Sequence, residues 1–401
     1  MEAAPRVDLI WSPEFVEYDF APGHPMDPAR LSLTHALVEA MGLTAAPHVR
    51  VRPAPLATDD ELRVVHTEEY VAAVRAASSG AAPEGAARFG IGDADCPAFV
   101  GMHTASARLT GGTLAACRAV ASGEARRAVN FAGGMHHAMP AKAAGFCVYN
   151  DAAVAAADLL ARGVEPICII DIDAHHGDGV ERMFRDEPRV TTISLHQHPD
   201  TLFPHTGYPQ DSGGTGARGH AINLCLPPES GDGDALRALE AVVEPVLMEL
   251  QPALVITQHG CDGHQRDPLT NLGWSIEGMR AAAQLLRDLI STHAAEGRWV
   301  ALGGGGYAIC DVVPRAWAHL VAVVAEQDLD PQGAVPRDWR ELAASLASCA
   351  KGGVPEVMGD GSDVTFTPFS HGYDPANPID RAIMATRSAA FPDLGIDPMT
   401  V

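Results

Sequence analysis

Residues 169–179 carry three carboxylates, Asp171, Asp173 and Asp178, and two histidines, His175 and His176, directly after an apolar run at 166–170. Such a run reads as a buried strand. Strand side chains alternate faces, so Asp171, Asp173 and His175 share one side if the strand stays extended to its tip. Burying an unpaired carboxylate is costly, and this row therefore needs a metal, another cation or histidine partners. Asp and His together suit Zn²⁺ or a similar first-row ion. The bland alternative is a salt-bridged helix N-terminus with no metal.

Four other strand ends look alike. Gly133-Gly134-Met135-His136-His137 follows an apolar segment at 128–132, Ser194-Leu195-His196 ends one at 190–195, Gly260-Cys261-Asp262-Gly263 follows one at 253–258, and Gly303-Gly304-Gly305-Gly306-Tyr307 follows one at 299–302. The glycines let backbone pass close to something while Tyr307 is delivered beside it. Singly each signal is weak. Five strand ends of one sheet that converge with Asp, His and Tyr indicate an active site.

Asp173, His175 and Asp262 offer three N/O ligands and leave positions open for water and substrate, the arrangement of a catalytic rather than a structural metal. Such a metal polarises a carbonyl and lowers the pKa of its bound water. His136 and His137 can work as acid and base, with Asp171 and Asp178 as the carboxylates behind them. Tyr307 can donate to a developing oxyanion. Together these groups describe metal-assisted hydrolysis of an amide.

The elements that must position them alternate. Helices are expected at 104–122, 152–161, 235–250, 276–292 and 312–326, between strands at 128–132, 167–173, 190–195, 221–226, 253–258 and 299–302, with a further strand-like piece at 7–10. This rhythm implies parallel βαβ units, helices on both faces of one sheet, and chemistry at the carboxyl ends of the strands. Residues 28–78 read as helical, with a capping box at Thr58–Glu61 and a helix at 68–76. Residues 80–95 read as a long surface loop. Beyond 328 the rhythm fades, so 1–327 is expected to be the catalytic domain and 328–401 an extension wrapped on it, with helical pieces at 339–349 and 378–388.

The hydrophobic share of 47% and charged share of 20% fit a globular chain with a sizeable core. No apolar run is long enough for a membrane span, and residues 1–6 lack the basic-then-apolar pattern of an export signal, so the expected location is cytoplasmic. The eight cysteines form no CxxC pair, and Cys117, Cys168 and Cys225 read as small buried hydrophobes. A net charge of −23 argues against nucleic-acid partners and suits a cationic substrate.

The ordered set GGMHHA, GFCVYND, DIDAHHGDGV, SLHQHP with FPHTG, GCDGHQRDPL and GGGGY resembles the zinc-dependent histone deacetylase family, most of all its bacterial acetoin-utilisation (AcuC-like) branch. The likeness runs from Ser12-Pro13 through His24-Pro25-Met26 to the helix after Tyr307, and Asp380-Arg381-Ala382-Ile383 with Phe391-Pro392 adds to it. The resemblance implies a single-domain α/β arginase/deacetylase fold with a central eight-stranded parallel sheet. It implies Zn²⁺ on Asp173, His175 and Asp262, His137 with Asp178 as general base, His136 with Asp171 as electrostatic partner, and Tyr307 on the substrate carbonyl. Phe146 and Phe203 would line a tunnel around acyl-lysine methylenes, Gly145 would add a backbone contact, and Asp95 would grip substrate backbone at the rim. A structural K⁺ would lie at Asp171, Asp173, His175, Ser194 and Leu195, and a second cation site near Phe184 and Val190 matches poorly.

Met135 and His205 depart from the common family pattern; His205 either narrows the mouth or is a surface loop residue. His198, His259 and His264 receive no role, and His176 is expected to pack away from the ligands. Arginase-like chemistry needs extra carboxylates for two Mn²⁺ ions, whereas after Asp262 the next acid is Asp267. An acetylpolyamine amidohydrolase is the nearer rival, but Leu269 is apolar where an acidic gatekeeper would stand. The expected substrate is thus the acylated lysine of a protein, with a small acetylated amine as the alternative; oligomeric state stays open.

Overall fold

Runs such as Ile167-Cys168-Ile169-Ile170 are apolar on both sides, and such a strand is stable only where helices cover both faces of a parallel sheet. The strands are β1 (Val7–Ile10), β2 (Val49–Arg52), β3 (Arg127–Asn130), β4 (Ile167–Asp171), β5 (Val190–Gln197), β6 (Ala221–Leu226), β7 (Leu254–Gln258) and β8 (Trp299–Leu302). They form one sheet, ordered β2-β1-β3-β8-β7-β4-β5-β6, in which every pairing is parallel. All strands except β2 are buried along their whole length. This computed structural model describes residues 6–350 and 353–400; the reading of residues 1–6 as free of an export signal lies almost wholly outside them.

The helices are α1 (Ala29–Ala40), α2 (Asp59–Leu62), α3 (Glu68–Ala77), α4 (Met102–Ala121), α5 (Asp151–Ala161), α6 (Asp178–Phe184), α7 (Asp232–Leu250), α8 (Ile276–His293), α9 (Val313–Val324), α10 (Arg337–Ser345) and α11 (Pro378–Ala390). One layer runs α1 on α9, α9 on α8 and α8 on α7, while α4 and α5 pack together. The Thr58 capping box forms, with the Glu61 carboxylate on the Thr58 N–H at 2.7 Å.

One expectation fails. Residues 28–78 are not helical throughout, because Val49-Arg50-Val51-Arg52 is β2, an edge strand beside β1. Its alternating pattern is that of a half-exposed strand. The arginines pair with Asp8 on β1, which is fully buried, at 2.8 and 3.0 Å. A charged edge of this kind hides from an apolar-run search.

The tail closes the opposite edge. Helix α11 lies on β6 and α7, and Thr386 Oγ1 donates to the Asn223 carbonyl of β6 at 2.6 Å. Asp380, fully buried, takes both Arg237 nitrogens of α7 at 2.6 and 2.8 Å. Helix α10 packs on α1 through Trp339, whose indole N–H donates to the Leu33 carbonyl at 2.8 Å. The cysteines are not all separate hydrophobes. Cys310 and Cys349 form a disulfide across a Cα–Cα distance of 5.5 Å. Cys96, Cys117, Cys147, Cys168, Cys225 and Cys261 are buried and free.

Candidate active site

The loops after β3, β8, β7, β4 and β5 leave five contiguous strands at their carboxyl ends, and the sheet order thus brings distant sequence segments together. The turn after β3 is fixed from below. The Asp151 carboxylate at the start of α5 accepts the Gly134 and Met135 N–H groups at 3.0 and 2.8 Å and the Thr113 hydroxyl at 2.5 Å. Gly134 has φ +97°, and a Cβ there would stand 2.8 Å from the Gly303–Gly304 backbone, so the β3 and β8 loops touch only through glycine.

That turn delivers His136 and His137 side by side. His136 Nδ1 lies 2.7 Å from Asp171 Oδ2, and His137 Nδ1 lies 2.7 Å from Asp178 Oδ1. A carboxylate only accepts, so both Nδ1 atoms donate and both Nε2 atoms are left for the site.

Asp173, His175 and Asp262 each place a ligand atom within 4.8 Å of the others, and all three are buried. His175 Nδ1 stands 2.8 Å from Asp262 Oδ2 and 3.2 Å from Asp173 Oδ1. The remaining carboxylate oxygens are fixed by backbone: Asp173 Oδ2 accepts from Gly305 N–H at 2.7 Å, and Asp262 Oδ1 from Ala174 N–H at 3.0 Å. Two buried carboxylates and one imidazole facing each other make a donor set that fits a divalent first-row cation. Burial alone would lower the His175 pKa, but the charges and hydrogen bonds of Asp262 and Asp173 outweigh it and raise the pKa to about 10. In the metal-free protein a proton on His175 thus supplies the positive charge that the two carboxylates require.

Tyr307 follows the four glycines, and its N–H donates to Asp267 Oδ2 at 2.8 Å. Burial, then the charges of Asp262 and Asp173, hold its phenol well above the ordinary tyrosine pKa, so it remains a hydrogen-bond donor. Phe146 stands edge-on to Tyr307 with ring centroids 5.6 Å apart, and Phe203 stands edge-on to His137 at 5.1 Å. Phe203 is 42% exposed, so the wall that begins at His137 reaches solvent.

At the rim, Asp95 Oδ2 accepts the Gly145 N–H at 2.9 Å, so one oxygen of the expected substrate-gripping carboxylate already holds the loop that carries Phe146. His205 is exposed and tied by Nδ1 to the Pro199 carbonyl at 2.7 Å, which supports the surface-loop reading. His176 packs away from the ligands, on Thr206 at 2.9 Å and Glu181 at 3.1 Å. Met135 is buried. The Ser194 hydroxyl lies 3.0 Å from His196 Nδ1 and receives the Gly177 N–H at 3.4 Å, and Asp171 Oδ1 accepts the Asp173 N–H at 3.0 Å.

Sequence reasoning missed several supports. The Tyr18 hydroxyl donates to the Phe146 carbonyl at 2.7 Å. Arg30 is buried, donates to the Gly304 carbonyl at 2.9 Å and lies 5.2 Å over the Trp317 ring. Asp151 sits in GFCVYND, yet nothing in that motif shows which backbone groups it would meet. Asp267, whose spacing from Asp262 argues against a second metal, instead holds the Tyr307 backbone.

A parallel α/β sheet whose strand ends assemble a three-ligand site beside two carboxylate-backed histidines defines a hydrolase of the arginase/deacetylase fold. The chain belongs to the histone deacetylase family: the histone deacetylase domain matches residues 24–324. Among its relatives are two acetoin utilization proteins AcuC. That of Bacillus subtilis is 38% identical over 332 residues, covering 82% of this chain and 84% of that protein. That of Staphylococcus aureus (strain MRSA252) is 36% identical over 335 residues, covering 83% and 85%. The crystal structure of a histone deacetylase homologue from Aquifex aeolicus superposes with a TM-score of 0.80 at 31% identity, covering 90% of this chain and 96% of that one. A crystal structure of a histone deacetylase homologue complexed with SAHA matches with the same values. The protein is an AcuC-like member of this hydrolase family. Among the described residues, no helix is long and apolar enough to cross a membrane.

Proposed function

We propose that the protein is a zinc-dependent amidohydrolase that removes acetyl, or a related short acyl group, from the lysine side chain of proteins. The observation that carries this reading is the Asp173, His175 and Asp262 trio beside His136 and His137. Zinc, when bound there, supplies a Lewis acid that polarises the acyl carbonyl and makes water a better nucleophile. Neutral His137, oriented by Asp178, takes the proton from the attacking water. Charged His136, held by Asp171, and the Tyr307 hydroxyl face the oxygen on which negative charge develops. The carbon–nitrogen bond then breaks, the amine leaves with a proton, and the acyl group leaves as carboxylate. Phe146, Phe203 and Gly145 would line the path of the lysine methylenes, and the free oxygen of Asp95 would meet substrate backbone. The K⁺ site is assigned to Asp171, Asp173, His175, Ser194 and Leu195. We place the protein in the cytoplasm, and we read 1–327 as the catalytic domain with 328–401 as its packed extension.

An acetylpolyamine substrate is the second reading, favoured by the net charge of −23. It is disfavoured by apolar Leu269 at the rim. The test is a side-by-side rate comparison on acetyl-lysine peptides, longer acyl-lysines and acetylated polyamines, with metal content measured on the same sample. Tyr307→Phe should lower kcat by about 10² to 10³ with zinc retained, the usual loss for one oxyanion donor. Full activity of Tyr307→Phe on acetyl-lysine would remove this mechanism.

A further inference from the structure

Two of the five loops that build the site, those after β7 and β8, are held from outside by one residue of the C-terminal extension. Asp360 Oδ2 lies 2.7 Å from His264 Nε2 and accepts the Ile276 N–H, at the start of α8, at 3.1 Å. Its Oδ1 accepts from Arg315 Nη2 at 3.0 Å and also from Arg266 Nη2. His264 and Arg266 lie within the segment between Asp262 and Asp267, and Arg315 is in the first turn of α9, just after the Tyr307 loop. The two sides are cross-linked again. Arg266 Nη1 reaches Asp311 Oδ2 at 2.6 Å, and Arg315 donates to the Asp311 carbonyl at 2.5 Å and to Asp311 Oδ1 at 3.0 Å. Asp360 is itself fixed, because its N–H donates to Glu277 at 2.9 Å and the Gly359 carbonyl accepts from Arg315 at 2.6 Å. The Asp360 side chain is 7% exposed and its partners Arg315 and His264 are buried, so those two pairings are not loose surface pairs, whereas Arg266 is exposed and adds less.

Chain connectivity shows what the clamp holds. On one side, Asp267 is three residues after His264 and directly after Arg266, and it receives the Tyr307 N–H. On the other side, Asp311 is four residues after Tyr307 and is bound to Arg315. Tyr307 is thus gripped through both loops, and each grip ends on the same carboxylate. We propose that Asp360 is a positioning residue for the deacetylase reaction, acting through His264, Arg266 and Arg315 to hold Tyr307 over the Asp173–His175–Asp262 trio. The role rests on the deacetylase reading. It also gives the extension a part in turnover beyond covering the domain. The Cys310–Cys349 bond ties the same loop to the same extension, so the two tethers must be separated in any test.

The experiment compares the full chain with Asp360→Ala and Asp360→Asn, with zinc loaded and the thiol-free reductant tris(2-carboxyethyl)phosphine present so that the disulfide does not hold the loop alone. Asp360→Ala should lower kcat on an acetyl-lysine peptide by about tenfold or more with KM and zinc stoichiometry unchanged, since a small displacement of a transition-state donor is felt in kcat. Asp360→Asn, which keeps the shape and one acceptor, should recover part of that loss. In a Tyr307→Phe background, Asp360→Ala should add little, because residues that act as a unit are not additive. Hydrogen exchange should quicken at 262–269 and 303–312 and stay unchanged at 133–147. Uniformly faster exchange, or a full additional loss of kcat in the Tyr307→Phe background, would overturn the proposal. If the unaltered enzyme hydrolyses no acyl substrate, the functional reading fails, while the exchange measurement still decides whether Asp360 holds these loops.

Discussion

His136 and His137 stand with ring centroids 4.0 Å apart, yet the site drives their protons in opposite directions. For His136, burial lowers the pKa, but the charges of Asp171 and Asp173 overcome it and raise the pKa to about 9. For His137, burial and then the neighbouring His136 charge lower it to about 4, against the pull of Asp178. In the metal-free protein one ring is therefore a cation and the other a free base at neutral pH. This is the division that an electrostatic partner and a general base need.

A direct prediction concerns these two protons. In metal-free protein, nitrogen NMR should show His136 charged and His137 neutral at pH 7, with transitions near the values above. The effects on stability have opposite signs. The raised pKa of His136 stabilises the fold fully below the unfolded value of about 6.5, and this is lost as pH rises through about 9. The lowered pKa of His137 contributes above about 6.5, and that contribution is lost as pH falls toward about 4. Finding both rings in one charge state at pH 7 would refute the assignment.

Metal uptake should release a proton. His175 carries one up to about pH 10, held between Asp262 and Asp173, and a ligating imidazole cannot keep it on the bound nitrogen. Zinc affinity should therefore rise about tenfold per pH unit from pH 7 to 9, with about one proton released per ion. Calorimetry in two buffers of different ionisation enthalpy measures the release. Asp262→Ala should bind zinc far more weakly, whereas Tyr307→Phe should bind it normally. A pH-independent affinity would mean that the metal sits elsewhere.

The rim gives a specificity test. Leu269 is the exposed apolar side chain on the loop that follows Asp262 and Asp267, and its N–H is held by Asp267 Oδ1 at 2.9 Å. Leu269→Glu should shift the ratio of kcat/KM values toward acetylated polyamines by about tenfold, equivalent to ~1.4 kcal/mol. An unchanged ratio would show that substrate does not pass this side chain.

Legibility followed the kind of contact. Strands such as β4 and β7 were legible because their apolar runs need cover on both faces, and the loop residues at their ends were legible because no core requires them. The arginine-rich edge strand β2 lacked that signal and fell into an expected helical stretch. Tyr18 on the Phe146 carbonyl, Asp360 on His264 and Arg315, and Cys310 with Cys349 are contacts between segments far apart in sequence. No local pattern marks such residues, because each is an ordinary polar or sulfur side chain until the fold brings its partner close.

The two open flanks of the sheet are closed by different means, and this bears on how copies of the chain behave toward one another. At β2, Arg50 and Arg52 line the margin with charge. At β6 the chain uses its own α11, and the Thr386 hydroxyl occupies a carbonyl that an added strand would otherwise take. A chain shortened before residue 378 would bare a buried, apolar strand with unpaired backbone groups, a template for strand addition by another molecule. The last helix thus covers the flank of the sheet that charge does not protect.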